Sequence, residues 1–188
     1  MNVGILGIQG GFHKHKEMVE SVGYKTKIIR TPEELRSVNA LIIPGGESTT
    51  FLNLFDKLEL KKAIVDFNLK SPIMGTCAGM IVLANHVDTN KYEPLKLIDI
   101  EVKRNAYGRQ KESFVENVNV TLENKTVEFE AVFIRAPKIE KCGSDCKILA
   151  KFKNDIIMVQ SDSVLVCSFH PELTNNNIIH KYFLEKYL

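Results

Sequence analysis

Three short blocks hold the residues best suited to covalent chemistry. In Gly75-Thr76-Cys77-Ala78-Gly79 a cysteine sits between glycines, after an apolar strand and before a helical stretch. That is the setting of a nucleophile elbow. A strand-to-helix reversal this tight forces the central residue into strained backbone angles, and a Cβ two residues away on either side would collide with its neighbours. The helix N-terminus favours a thiolate there, and the Ala78 amide is placed to help hold an oxyanion. The plain alternative is a buried, inert cysteine beside a glycine turn.

A thiolate nucleophile needs a base. His170, in Ser168-Phe169-His170-Pro171-Glu172, ends an apolar strand, and Pro171 halts that strand. Glu172 could bond the second ring nitrogen and fix the tautomer, which completes a Cys-His-acid set by role. The alternative is a capped strand end with a solvated His and Glu. Pro44-Gly45-Gly46-Glu47-Ser48 also follows a buried strand and precedes a helix, so its amides form a candidate oxyanion nest. Open α/β sheets gather their chemistry at strand C-termini. A nucleophile, a base and an amide-rich loop on one such edge make a coherent acyl-transfer site.

The remaining polar candidates are weaker. Arg104 and Arg135 each close a strand-like run, where a surface arginine is the ordinary explanation. His13, His15, His86 and His180 lie on helical stretches among polar neighbours and read as surface residues. Cys142 and Cys146 have no further Cys or His pair at ligand spacing, so no metal and no cofactor is expected.

The elements that must position these residues alternate through the first half. Strands are expected at Val3–Ile8, Lys25–Arg30, Ala40–Ile43 and Pro72–Thr76. Helices are expected over His13–Val22, from Thr31-Pro32 (an N-cap with proline at the first position), over Thr49–Leu58 with Ser48 as cap, over Glu59–Asn68, and from Cys77 to about Asn85. This alternation predicts a three-layer α/β fold, its mostly parallel sheet covered by helices on both faces. The second half is β-rich: 97–102, 117–122, 127–134, 148–152, 156–160 and 164–168 read as antiparallel or mixed strands extending the sheet. Asn176–Tyr187 closes the chain as an amphipathic helix. With no linker, repeat or composition break, one domain over 1–188 is expected.

Composition narrows the classes. The 188 residues are 44% hydrophobic and 26% charged, which excludes a disordered or low-complexity chain. A net charge of 25 − 23 = +2 gives no bulk electrostatic case for nucleic acid. No apolar run approaches about 18 residues, the N-terminus lacks signal-peptide character, and the four cysteines suit reduced thiols, so a cytoplasmic protein with no membrane contact is expected.

Six blocks together carry a resemblance: Gly4-Ile5-Leu6-Gly7-Ile8-Gln9-Gly10, Pro44-Gly45-Gly46-Glu47-Ser48-Thr49-Thr50, Gly75-Thr76-Cys77-Ala78-Gly79-Met80, Arg104-Asn105-Ala106-Tyr107-Gly108-Arg109-Gln110, Phe133-Ile134-Arg135-Ala136-Pro137 and Ser168-Phe169-His170-Pro171-Glu172-Leu173-Thr174. The chain resembles, end to end, the glutaminase subunits of pyridoxal 5′-phosphate synthases, within the triad (class I) glutamine amidotransferases, whose fold is flavodoxin-like. The resemblance implies hydrolysis of L-glutamine, with ammonia passed to a synthase subunit in vitamin B6 biosynthesis. It gives Cys77 the role of nucleophile, His170 that of base and then acid, and Glu172 that of orienting acid. It places Gly46, Glu47, Ser48, Arg104, Ile134 and Arg135 on the substrate, the oxyanion on amides of Gly45, Gly46 and Ala78, and partner contact at Gln9 and Gly10. Gly11, where alanine is common, Tyr107, where phenylalanine is common, and Cys142 and Cys146 depart from the pattern. A glutaminase for another synthase, or a non-catalytic binding or stress module of similar fold, are the rival readings.

Overall fold

The computed structural model describes residues 1–89, 93–106 and 113–188. Its frame is a run of five parallel strands in spatial order β2-β1-β3-β4-β12: β1 (Asn2–Leu6), β2 (Lys25–Ile29), β3 (Ala40–Ile43), β4 (Ile73–Thr76) and β12 (Val164–Cys167). The apolar run of β3 splits between two cores. Leu41 and Ile43 join Phe51, Phe55 and Ile64 on one face, and Ala40 and Ile42 join Val19, Ile179 and Phe183 on the other. Side chains alternate along a strand, so a strand covered on both faces must be apolar at every position. The helices supply the cover: α1 (Phe12–Ser21) and α6 (Ile178–Tyr187) on one side, α3 (Ser48–Lys57), α4 (Leu60–Asn68) and α5 (Ala78–Leu83) on the other.

Local signals set several boundaries. Helix α2 (Pro32–Leu35) opens with the expected cap: Thr31 Oγ1 accepts from Glu34 N–H and the Glu34 carboxylate accepts from Thr31 N–H, behind Pro32 at the first position. The cap of α3 differs from expectation. The residue is Glu47, not Ser48, and its carboxylate accepts from Thr49 N–H (3.1 Å) and Thr50 N–H (2.7 Å), while Ser48 is the first helical residue. A carboxylate fills two first-turn amides at once and favours the positive end of the helix dipole.

The antiparallel half continues from β12 through β11 (Asp155–Gln160), β10 (Lys147–Phe152), β7 (Ser113–Leu122) and β8 (Lys125–Ile134). The sheet forks at β11: Met158–Gln160 pair with β12, while Ile156 pairs with Ile139 of β9 (Lys138–Cys142). Strand β9 in turn pairs with β6 (Ile98–Lys103), and β6 with β5 (Ala84–Val87). Two of these strands depart from the sequence pattern. The helix expected to reach about Asn85 stops at Leu83, and the backbone turns extended at Ala84 (φ −59°, ψ 158°) to pair with β6. β9 carries one buried apolar residue, Ile139, in a polar run, too little periodicity to read alone. No helix among the described residues is long and apolar enough to cross a membrane.

Candidate active site

The sharp turn at Cys77 is built as the two glycines demand. Cys77 has φ 50° and ψ −105°, between the last residue of β4 and the first of α5. A Cβ on Gly79 would lie 2.1 Å from the Ile43 carbonyl oxygen, and one on Gly75 2.6 Å from Leu83 and 2.8 Å from the Gly79 backbone. Real Cβ atoms do not approach so closely, so only glycine lets α5 dock against β3 and β4 here. The Cys77 N–H donates to the Cys167 carbonyl at 2.8 Å, which ties the turn to β12. The result is a cysteine in a backbone region that costs on the order of 1–3 kcal/mol, held there by its surroundings.

His170 follows β12 across the rim. Phe169 is fully buried between Phe129 and Phe133 of β8, and His170 N–H donates to the Val132 carbonyl at 2.8 Å. The chain then folds into a 3₁₀ turn over Pro171–Leu173, which returns Glu172 beneath the imidazole. His170 Nδ1 and Glu172 Oε1 are 2.7 Å apart, and Glu172 is 3% exposed. The other ring nitrogen remains for Cys77, which lines the same cavity beside His170. Burial works to lower the His170 pKa, but the neighbouring Cys77 and Glu172 outweigh that and raise it to about 10. Burial likewise opposes ionisation of Glu172, yet the facing His15 and His170 hold its pKa down at about 2.

The Pro44–Glu47 loop packs directly on this pair. A Cβ on Gly45 would lie 2.4 Å from His170 Cε1 and 3.4 Å from Cys77 Cβ. From the far side the loop is held by the first strand–helix turn. Gln9 Nε2 donates to the Glu47 carbonyl (2.7 Å), Glu47 N–H donates to Gln9 Oε1 (3.3 Å), and Gly10, at φ +80°, approaches the Gly45 carbonyl so closely that a Cβ would sit 1.8 Å from it.

A cavity of about 500 Å³ opens over the sulfur, lined by Gly46, Glu47, Ser48, Cys77, Ala78, Ile81, Arg104, Asn105, Ile134, Arg135 and His170. The structure thus brings together residues from five of the six sequence blocks, and Gln9 and Gly10, from the sixth, brace them from behind. Cys77 Sγ lies 3.8 Å from the Ile134 carbonyl. Arg135 and Asn105, at the cavity wall, both have left-handed φ (44° and 47°). Arg104 is tied to Asp88, whose carboxylate accepts from its backbone N–H at 3.0 Å. Tyr107 to Gln110 of the arginine block lie outside the described residues.

Size alone does not locate the chemistry. A groove of about 730 Å³ between α2, α3 and α4 is lined largely by charged residues such as Glu33, Arg36, Asp56 and Lys62, with no cysteine or histidine in its lining. The other cysteines are unsuited to nucleophilic work. Burial pushes the Cys167 thiol well above its usual range, and Cys142 up to about 11. Gly11 tolerates the commoner alanine, since a Cβ there would make ordinary contact with Glu172 at 3.6 Å.

Two histidines expected at the surface are in fact fully buried. His15, on α1, lies 3.3 Å from Glu172 Oε2 and 3.2 Å from Thr76 Oγ1 through Nε2, and 2.9 Å from His180 Nε2, on α6, through Nδ1. Polar neighbours misled that expectation. Helical spacing carries the signal instead, because His15 shares a face with buried Val19 and His180 with buried Phe183 and Leu184.

A doubly covered, largely parallel sheet with a cysteine elbow and a His–Glu pair on its rim is the arrangement of a class I glutamine amidotransferase. A solved glutamine amidotransferase superposes with a TM-score of 0.92 at 38% identity, covering 98% of this chain and 97% of that one. PurLQS from Thermotoga maritima, at 15% identity and TM-score 0.70 over 98% of this chain and 96% of that one, shares the fold. The SNO glutamine amidotransferase family model matches residues 5–188, and the chain belongs to that family. Among its relatives are proteins named pyridoxal 5′-phosphate synthase subunit PdxT. That of Fervidobacterium nodosum is 45% identical over 98% of this chain and 96% of its own length. That of Francisella philomiragia is 46% identical over 98% of each.

Proposed function

We propose that this chain is the glutaminase subunit of a pyridoxal 5′-phosphate synthase, acting in the cytoplasm as one domain over residues 1–188. It hydrolyses L-glutamine to L-glutamate and passes the ammonia to a synthase subunit that makes pyridoxal 5′-phosphate. The observation that carries this reading is that Cys77 and His170 line the same 500 Å³ cavity, with buried Glu172 bonded to His170 from behind. The names of the relatives support the assignment to vitamin B6 synthesis.

The chemistry follows from the geometry. His170 takes the proton of the Cys77 thiol, and the sulfur attacks the side-chain carboxamide carbon of glutamine. A protonated imidazole beside sulfur is what the raised His170 pKa favours. The tetrahedral oxyanion is held by the amides of Gly45, Gly46 and Ala78, and His170 gives its proton to the departing nitrogen so that ammonia leaves. Water, deprotonated by His170, then adds to the γ-glutamyl thioester, and collapse releases glutamate and regenerates the thiol. Glu172 keeps the imidazole in the required tautomer throughout. Gly46, Glu47, Ser48, Arg104, Ile134 and Arg135 form the walls that seat glutamine. Gln9 and Gly10 lie at the synthase contact, where docking reaches the Gly45–Gly46 loop through the hydrogen bonds to Glu47.

The test is glutamate release from L-glutamine, with and without the synthase subunit of a relative. We expect release to rise on adding that subunit, and Cys77→Ala to lose at least ~10⁴-fold in kcat while still binding the synthase. Wild-type turnover in Cys77→Ala would sink the assignment.

A further inference from the structure

The triad does not end at Glu172. One carboxylate oxygen is bonded to His170. The other, Oε2, is buried, has no hydrogen-bond partner among the described residues, and faces His15 Nε2 at 3.3 Å. The same nitrogen is 3.2 Å from Thr76 Oγ1, on the residue that precedes the nucleophile. His15 therefore touches both arms of the site, the acid under His170 and the strand end that carries Cys77. On the proposed glutaminase reading, we infer that His15, braced by His180, is a positioning residue for the reaction: it holds Glu172 from the side opposite His170 and ties that carboxylate to the strand carrying the nucleophile.

Proton accounting defines the arrangement. Ionised Glu172 accepts only, so the His15 nitrogen facing it carries the hydrogen: Nε2–H donates to Thr76 Oγ1 and lies 3.3 Å from Glu172 Oε2 as an electrostatic contact. A neutral imidazole has one N–H, which leaves Nδ1 to accept from His180 Nε2–H at 2.9 Å. Burial favours the neutral form of both rings by lowering their pKa values. The chain Thr76–His15–His180 thus has one consistent direction of donation, set by the carboxylate. An apolar pair of the same size would fill this space at lower desolvation cost if packing were all that was required. Without the contact at Oε2, Glu172 can turn about its side-chain bonds and release His170 Nδ1. The imidazole then loses its fixed angle to Cys77, and the loss falls on turnover with little effect on glutamine binding.

The experiment compares His15→Leu, which removes both nitrogens, with His15→Gln, whose amide can offer an N–H near the Nε2 position. Kinetics are read on the complex with the synthase subunit. We expect His15→Leu to lower kcat by about 10–100-fold with KM within about twofold, and His15→Gln to recover most of the loss. The second readout needs no turnover: the deshielded proton of the His170–Glu172 bond in the NMR spectrum should persist in wild type and His15→Gln and exchange away in His15→Leu. It decides the positioning role even if wild type releases no glutamate, so failure of the glutaminase assignment is distinguishable from failure of this one. An unchanged resonance in His15→Leu overturns the proposal, as do equal losses of activity and thermal stability in Leu and Gln variants. Should His15→Leu fail to fold, His180→Phe against His180→Gln makes the same comparison. Phe should then lose about 3–10-fold more kcat than Gln, and equal activities would overturn it.

Discussion

Two loops stand side by side on the rim of the sheet, and they are held by different means. The elbow at Cys77 is fixed by backbone. Gly79 is pressed on the Ile43 carbonyl, Gly75 on Gly79 itself, and the Cys77 amide is bonded to β12. The Pro44–Glu47 loop shares a backbone contact of this kind at buried Gly45, whose carbonyl packs on Gly10, but its Gly46–Glu47 end is exposed and is braced on its outer side by one side chain, Gln9, through two hydrogen bonds. Backbone in close contact has no nearby alternative position, whereas such hydrogen bonds are worth about 1 kcal/mol each. The nucleophile is therefore the fixed part, and the exposed Gly46–Glu47 end of the loop, with the Gly46 amide proposed for the oxyanion, is the adjustable part. A partner that binds at the Gln9–Gly10 turn acts on the member of the pair that can move.

Gly79→Ala breaks the rigid member and should give the largest effect. Its methyl would sit 2.1 Å from a backbone oxygen of β3, so α5 or β3 must shift. We expect a loss of about 3 kcal/mol or more of unfolding free energy, read by urea denaturation, with a more than ~10²-fold drop in glutamate release from misplacing Cys77. A loss below about 1 kcal/mol would show that the elbow yields as easily as its neighbour.

The rigid member was also the legible one. Gly75 and Gly79 flank Cys77 for a steric reason that acts within a few residues, and β3 and β4 are short apolar runs closed by glycine or cysteine. Thr31-Pro32 with Glu34 gives a complete cap locally. The features that could not be read depend on distant partners. β9 is a strand because β6 and β11 offer edges to it, not because Lys-Ile-Glu-Lys-Cys alternates. β5 leaves the helix because β6 lies alongside. His15 and His180 are 165 positions apart, and each looks solvated until α1 and α6 are laid on the same face of the sheet. Glu47 was singled out on resemblance, while its capping role comes from the carboxylate reaching two amides of α3.

Acid probes the buried support beneath the rigid member. Glu172 has its pKa lowered from 4.5 to about 2, so its contribution is present above 4.5 and is lost as pH falls towards 2. His180 has its pKa lowered from 6.5 to about 3, so the unfolded chain takes up that proton first and stability declines as pH drops below 6.5. His15 shifts in the same direction. His170, raised to about 10, works the other way, since its contribution is complete below 6.5 and is lost as pH rises towards 10. Unfolding free energy should therefore peak near pH 6–7. Replacing His180 by Phe should flatten the acid limb between about pH 6 and 4 by one proton, or roughly 1.4 kcal/mol per pH unit. An acid limb of unchanged slope would mean that His180 is solvated in the folded protein.

The smallest effect on stability, and the sharpest test of the comparison, is expected from Gln9→Ala. Gln9 lies outside the cavity lining and touches neither Cys77 nor His170 through any bond described above. Its removal costs two exposed hydrogen bonds, so unfolding free energy should change by no more than about 1 kcal/mol. Turnover should respond out of proportion. A full loss of one oxyanion donor costs about 10²–10³ in kcat, and a loop that samples the right geometry part of the time should lose about 10-fold. Turnover comes from the kinetics of the synthase complex, and stability from the free subunit. If Gln9→Ala loses stability and activity in step, the loop is as rigid as the elbow and the contrast fails. If kcat falls while stability holds, the two loops differ as their contacts suggest, and the Gln9 turn is the place from which the site can be switched.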